Sequence, residues 1–351
     1  MVIDQGMTDR YLSIIKEIGT SVRLTDSHVH PFDVLYDGGS YCANPSCAGV
    51  YSDGNACYVP PTSGPVLLEA PAEPPAQAPR DLVKRMMMLT MRRLYVHTGP
   101  QCWTAHAEMA GIGRLALLPV AQPGKTAEAR MAEMVNMFGD DPRFLFGYCL
   151  PNTLEPEQVE TDIRQAAVNY GIRILKVHPN LSGHLLTSAE GRNRLNALLH
   201  ASRSTCLPVI LHGGPSPSIE DPLASAQGEL ENLARLDLGG TDQPVVIAHA
   251  GGFGLCAEEF QCRVLPQLQN LMSRFDHLLV DTSALSADVL DRLLDHVAPT
   301  RILFGSDAFY EPSWKAAVKL YWVLEKKFSR PEQVFAQIAG ENPEKLFGKE
   351  V

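Results

Sequence analysis

The chain has 351 residues, 45% of them hydrophobic and 20% charged, which suits a protein with a substantial buried core in one large domain or two ordinary ones. Its formal net charge of -10 and pI near 5.6 exclude a broad basic face of the kind that binds nucleic acid. No apolar run approaches the roughly 18 to 20 residues that span a bilayer, so no membrane partner is expected.

The opening "MVIDQGMTDRYLSIIKEIG" predicts an amphipathic helix. It has neither the basic nor the apolar region of an export signal, and the cytoplasm is the expected compartment. "SVRLTDSHVH" then reads as a first strand. Residues 31–112 follow with a long stretch rich in Pro, Gly, Ser and Asn, and two helices are predicted at its end, in "RDLVKRMMMLTMRRLYVH" and "CWTAHAEMAG". So long an aperiodic segment after a first strand is read as an insertion, with Pro60 to Pro79 expected to form a partly ordered lid. Met86 to Met88 read as packing.

From residue 113 short apolar runs alternate with amphipathic segments. The runs are "GRLALLPVAQ", "RFLFGYCLP", "GIRILKVHP", "LPVILHGG", "QPVVIAHAGG", "HLLVDTS" and "TRILFGSD". Each has the length and boundaries of a strand buried on both faces. "TAEARMAEMVNMFG", "EPEQVETDIRQAAVNYG", "AEGRNRLNALLHASR" and "SADVLDRLLDHVA" supply helices between them. Eight strands alternating with helices predict an α/β fold, a (β/α)8 TIM barrel over residues 1–351 with the 31–112 insertion on its rim. An open doubly wound sheet would carry a Gly-rich turn after its first strand, and none is present.

Eight cysteines in a chain with no export signal are expected to be reduced thiols, Cys149 and Cys206 as core fillers. Cys42, Cys47 and Cys57 cluster in the insertion. A structural zinc completed by His97 or His106 is weighed there against free loop thiols, and the thiols are preferred.

The polar residues that end the apolar runs carry the chemistry. In "DSHVH", His28 and His30 stand two residues apart, so on a strand both imidazoles project from one face, as a divalent metal requires. Lys176 and His178 end the fourth strand, His212 the fifth, His249 the sixth and Asp307 the eighth. Barrel enzymes place their reacting groups at these carboxyl ends. Tyr310, with Phe309 and Trp314, falls on the rim and is read with His178 as lining a substrate pocket, although helix packing accounts equally well for Trp314.

"DSHVHP", "ILKVHP", "LHGG", "AHAGG" and "GSDAF", closed by "GENPEKLFG", resemble the amidohydrolase superfamily, in particular the compact amidohydrolase 2 group of TIM-barrel enzymes that includes aminocarboxymuconate-semialdehyde decarboxylase. The resemblance covers residues 22 to 348 apart from the insertion. It implies a zinc site of one or two divalent ions, with manganese as an alternative. With one ion, the resemblance makes His28, His30, His212 and Asp307 its ligands and His249 a neighbouring acid or base. With two, Lys176 is carboxylated and bridges them, and His212 and His249 hold the second. A protonated lysine has donors only and cannot ligate.

The implied activity is hydrolysis of a small-molecule amide, ester or lactone by a metal-activated water. In that scheme Asp307 takes the water's proton and His249 steadies the developing oxyanion. The alternative within enzymes is non-oxidative decarboxylation of a carboxylated aromatic or related acid. Many such decarboxylases carry glutamate at the position of His28, which favours hydrolysis. A catalytically silent ligand-binding barrel is the third reading. The expected partner is a small molecule, and a homodimer is the default assembly.

Overall fold

A computed structural model describes residues 1–30, 62–71, 100–121, 123–124, 127–216, 219, 221–308 and 310–348. Cys42, Cys47, Cys57 and His97, the helix expected over 80–97, Met86 to Met88 and Phe309 lie outside the described residues.

Eight strands pair in parallel in chain order: β1 (Leu24–Val29), β2 (Ile112–Leu117), β3 (Phe144–Cys149), β4 (Ile174–Val177), β5 (Val209–Leu211), β6 (Val245–Ile247), β7 (Leu278–Asp281) and β8 (Ile302–Leu303). The circle closes between β1 and the chain leaving β8. Ser27 N donates to Phe304 O at 2.9 Å, Asp307 N to His28 O at 2.9 Å and His30 N to Ala308 O at 2.9 Å, and Val29 bridges Ala308 in parallel. The fold is the predicted (β/α)8 barrel.

The helices follow their sequence signals: α1 (Gln5–Ser21), α2 (Pro100–Met109), α3 (Glu128–Phe138), α4 (Pro156–Tyr170), α5 (Ala189–Thr205), α6 (Leu265–Arg274), α7 (Ala287–His296) and α8 (Ser313–Lys327). Ser188 caps α5 by accepting from Gly191 N at 3.0 Å. Gly171, at φ 60°, ends α4 in the left-handed conformation that glycine adopts without a steric cost. Cys206 is a correction: expected in the core, it is exposed, because at φ 57° it turns the chain out of α5 towards β5. Trp314, by contrast, is buried in α8 and belongs to the core. Among the described residues no helix is long and apolar enough to cross a membrane.

The strand period of two decides what faces the barrel interior. Ile174, Ile210, Val246 and Leu303 form an apolar cluster there with Leu346 and Phe347 packed against it. Counting on in steps of two leads from Ile174 to Lys176 and His178, from Ile210 to His212, and from Leu303 to Asp307. Within β1 the same parity aligns Asp26, His28 and His30.

Asp26 fastens the closure. Its buried carboxylate accepts from Ser306 N at 2.9 Å, from Ser306 Oγ and from Ser313 Oγ at 2.7 Å, joining β1 to the exit of β8 and the start of α8. The short pair Val2–Ile3 and Val66–Leu67 brings part of the insertion against the barrel, where Leu68 O accepts from Ala287 N at 2.7 Å. The buried ammonium of Lys319 ties Glu69 O (3.1 Å) and Leu285 O (3.2 Å) to Glu311.

Replacing Asp26 with Ala leaves two buried N–H groups, of Ser306 and His28, and two hydroxyls without their acceptor. The expected loss is about 3 kcal/mol of unfolding free energy. Urea unfolding of the metal-free protein should show a lower midpoint at unchanged slope.

Candidate metal centre

The strand ends bring His28, His249 and Asp307 together: each offers one ligand atom, and these atoms lie within 4.8 Å of one another, all three residues being buried. His30 and His212 flank the trio. His30 Nε2 is 3.2 Å from Asp307 Oδ1, and His212 Nδ1 is 3.2 Å from His249 Nε2. His28 Nε2 lies 3.6 Å from Asp307 Oδ1 and 3.1 Å from Lys176 Nζ. His178, where the chain leaves β4, lies flat on His212 with ring centroids 3.8 Å apart. The sequence-predicted group therefore converges at one mouth of the barrel. Tyr310 stands half-buried at the turn after Asp307, its N–H donating to Asp307 O at 2.8 Å.

The trio differs from both ligand sets implied by the resemblance. It includes His249, which the single-ion reading set apart, and it places His30 and His212 beside the three rather than among them. Backbone geometry is the reason. The interior parity of β6 runs through Val246 and Ala248, so an extended chain would turn residue 249 outward. His249 and Ala250 instead take φ values of 55° and 48°, and this left-handed kink carries the imidazole into the mouth. Asp307 is held at φ 62°. Non-glycine residues in this region cost on the order of 1 kcal/mol or more each, and such strain is retained where function uses the geometry.

Hydrogen bonds on the far side of each ring fix its orientation. Nδ1 of His28 faces Asp281 Oδ2 at 2.8 Å, Nδ1 of His30 faces Leu118 O at 2.8 Å, and Nδ1 of His249 faces Ser283 O at 2.9 Å. A carbonyl or carboxylate at Nδ1 requires the hydrogen there, which leaves the Nε2 lone pair directed inward. That is the tautomer a metal-binding imidazole needs.

Asp281 was missed in the sequence, although "HLLVDTS" ends β7 with an acid in the interior register. Asp281 Oδ1 also accepts from His249 N at 2.7 Å and from Ser283, so one buried carboxylate braces two of the three converging residues.

Electrostatics agree with this arrangement. Burial, with Lys176 nearby, pushes the His28 imidazole down to about 3, and burial likewise lowers His249 and His212, so these rings are neutral near pH 7. Burial alone would raise the Asp281 and Asp307 carboxyls. The surrounding imidazoles outweigh it, His28 foremost for Asp281 and His30 for Asp307, and hold both well below the ordinary carboxylate range. Burial lowers the Lys176 ammonium to about 8.

The donor set fits a divalent cation. Neutral imidazoles and an ionised carboxylate converge, while Asp307 Oδ1 and His212 Nε2 are buried without a hydrogen-bond partner, the condition a bound cation would relieve. Lys176 bears on the same point. An ammonium donating to His28 Nε2 and a cation bound at that nitrogen exclude each other, so metal loading requires Lys176 to withdraw or lose its positive charge. The loop after β6 adds an apolar wall, with the Phe253 ring 4.7 Å from that of His249 and 5.3 Å from that of His212.

Residues 25–349 match the family described as amidohydrolase. The chain belongs to the amidohydrolase family. Solved structures repeat the fold of this amidohydrolase at low identity. One is a 5-carboxyvanillate decarboxylase from Novosphingobium aromaticivorans DSM 12444, complexed with manganese and 4-hydroxy-3-methoxy-5-nitrobenzoic acid; it is 14% identical, with 93% of this chain and 96% of that one covered at a TM-score of 0.54. A second 5-carboxyvanillate decarboxylase, from Sphingomonas paucimobilis, is 15% identical over 94% of this chain and all 100% of that one, at a TM-score of 0.51. A dihydroxybenzoic acid decarboxylase from Polaromonas sp. JS666, with bound manganese and 2-nitroresorcinol, is 14% identical over 74% and 89% of the two chains, at a TM-score of 0.51. The comparison with curated proteins returns no match.

If Asp281 orients the imidazoles of this amidohydrolase, Asp281→Asn should weaken manganese or zinc binding by about 10- to 100-fold. Competition with a chelator measures the affinity. Far-ultraviolet circular dichroism should be unchanged.

Proposed function

We propose that the chain is a metal-dependent enzyme that decarboxylates a carboxylated aromatic acid without net oxidation. The observation that carries this reading is the charge balance of the mouth. A dication at His28, His249 and Asp307 would offset the two carboxylates of Asp281 and Asp307, and a Lys176 ammonium that withdraws from His28 Nε2 without losing its proton would leave the mouth with a net positive charge. The excess is positive and buried, which favours an anionic substrate over a neutral amide, ester or lactone. The decarboxylases whose fold this chain shares, two of them with manganese, support the same choice.

When bound, the cation would supply positive charge that draws the substrate's oxygen atoms into place and lowers the energy of negative charge developing on them. The protein residues then move the proton. For a substrate with a ring hydroxyl beside its carboxylate, Asp307, anionic at rest, accepts the hydroxyl proton and delivers it to the ring carbon that bears the carboxylate. That carbon becomes tetrahedral and the oxygen a ketone. The bond to the carboxylate breaks, its electron pair restores the aromatic ring, and carbon dioxide and a phenolate leave. Phe253 supplies an apolar surface beside the imidazoles for the ring.

Hydrolysis of an amide, ester or lactone is the second reading, and one observation favours it: His28 keeps an imidazole where many decarboxylases of this group carry glutamate. There Asp307 would take a proton from water and pass it to the leaving group.

The two readings separate on product. Manganese- or zinc-loaded protein is expected to release carbon dioxide from a panel of hydroxylated aromatic carboxylates, and none after chelation. Asp307→Asn should lower that rate by about 10²- to 10⁴-fold. Turnover of amides, esters or lactones with no carbon dioxide released would favour hydrolysis instead.

A further inference from the structure

His178 differs from His28, His30 and His249 in the role that its engaged nitrogen plays. His28, His30 and His249 each present Nδ1 to a carbonyl or carboxylate oxygen. His178 instead accepts at Nδ1, from Leu181 N at 3.3 Å, as the cap of the helical turn Pro179–Ser182. A ring nitrogen that accepts a backbone N–H carries no hydrogen, so in the neutral imidazole the hydrogen sits on Nε2. The ring is buried, 5% exposed, and lies 12° from parallel on His212, with Lys176, His30, His249 and His28 among its neighbours. Its capping bond and its stack fix it in place.

We propose that His178 is a fixed hydrogen-bond donor, acting through Nε2–H on an anionic oxygen of the substrate, and that it is not a metal ligand. A metal needs a lone pair on the inward nitrogen, and His178 presents a hydrogen there. A carboxylate needs that hydrogen. The inference rests on the reading of the substrate as a carboxylic acid. It adds to the cation a second, directional contact that would hold the carboxylate in one orientation while the ring carbon is protonated.

Two substitutions separate the functions of the ring. In His178→Asn the side-chain oxygen can replace Nδ1 and keep the cap, but nothing reaches the position of Nε2. In His178→Gln the terminal amide can place a donor near Nε2, while the cap is lost. The probe is benzoate, titrated calorimetrically into manganese-loaded protein, with manganese affinity and thermal midpoint measured alongside. Both variants should bind manganese within about threefold of the parent. His178→Asn should keep its midpoint and lose at least tenfold in benzoate affinity, with a comparable loss of carbon dioxide release. His178→Gln should recover most of the benzoate affinity despite a lower midpoint.

A tenfold or greater loss of manganese affinity in both variants would make His178 a ligand and overturn the proposal. So would parental benzoate affinity in His178→Asn, or a parent that binds no benzoate. A parent that binds benzoate but releases no carbon dioxide from any acid would refute the decarboxylase reading, and the benzoate comparison would still decide the role of His178.

Discussion

The hydrogen bonds that close the barrel between β1 and the exit of β8 are the constraint on which the site depends. His28 and His30 belong to one end of the polymer and Asp307 to the other. Asp307 N on His28 O, and His30 N on Ala308 O, make them neighbours through the backbone itself. Asp26 reinforces this seam from one register step below, with its carboxylate spread over Ser306 and Ser313. The site is thus built across the seam that closes the barrel, and metal binding there would add to the stability of the closed barrel by mass action.

Around that seam, selection among the histidines is a matter of hydrogen placement. Burial keeps the imidazoles of His28, His178, His212 and His249 neutral, but a neutral imidazole can serve either as donor or as acceptor on its free side. The outer partner decides which. Leu118 O, Ser283 O and Asp281 leave inward lone pairs on His30, His249 and His28, whereas Leu181 N leaves the hydrogen of His178 on Nε2. Asp281 matters most in this respect, because it braces His28 through Nδ1 and His249 through the backbone.

Much of this was legible in the sequence, since a buried parallel strand writes its position as a short apolar run and its mouth as the polar residue that ends the run. Eight runs gave eight strands. The period of two carried Ile174 to Lys176 and His178, and Ile210 to His212, without further information. Asp281 obeys the same rule and was legible, but an acid alone draws less notice than a histidine pair. His249 was singled out only as the polar residue that ends the sixth run; the left-handed kink at 249 and 250 that turns it inward could not be read, because sequence spacing contains no dihedral angle. Cys206 failed for a similar reason: its apolar surroundings suggested the core, while its backbone serves as a helix terminus at the surface. The hydrogen positions of His28, His30 and His249 were beyond reach, since each depends on a partner far away in the chain.

The kink at His249 and the strained Asp307 also explain why the chemistry and the core do not compete. Below the mouth, the barrel interior is filled by Ile174, Ile210, Val246 and Leu303, and regular extended geometry suffices. At the mouth the pattern is broken at two strand exits, in each case to aim a ligand-type side chain at the same point. A regular exit from β6 would leave the imidazole facing the surrounding helices, where a neutral ring could be packed but could not meet Asp307. The cost of the three left-handed residues, His249, Ala250 and Asp307, is local. It is borne by a scaffold whose strands are buried on both faces and tied to their neighbours, so the strain can be held in place without loosening the barrel.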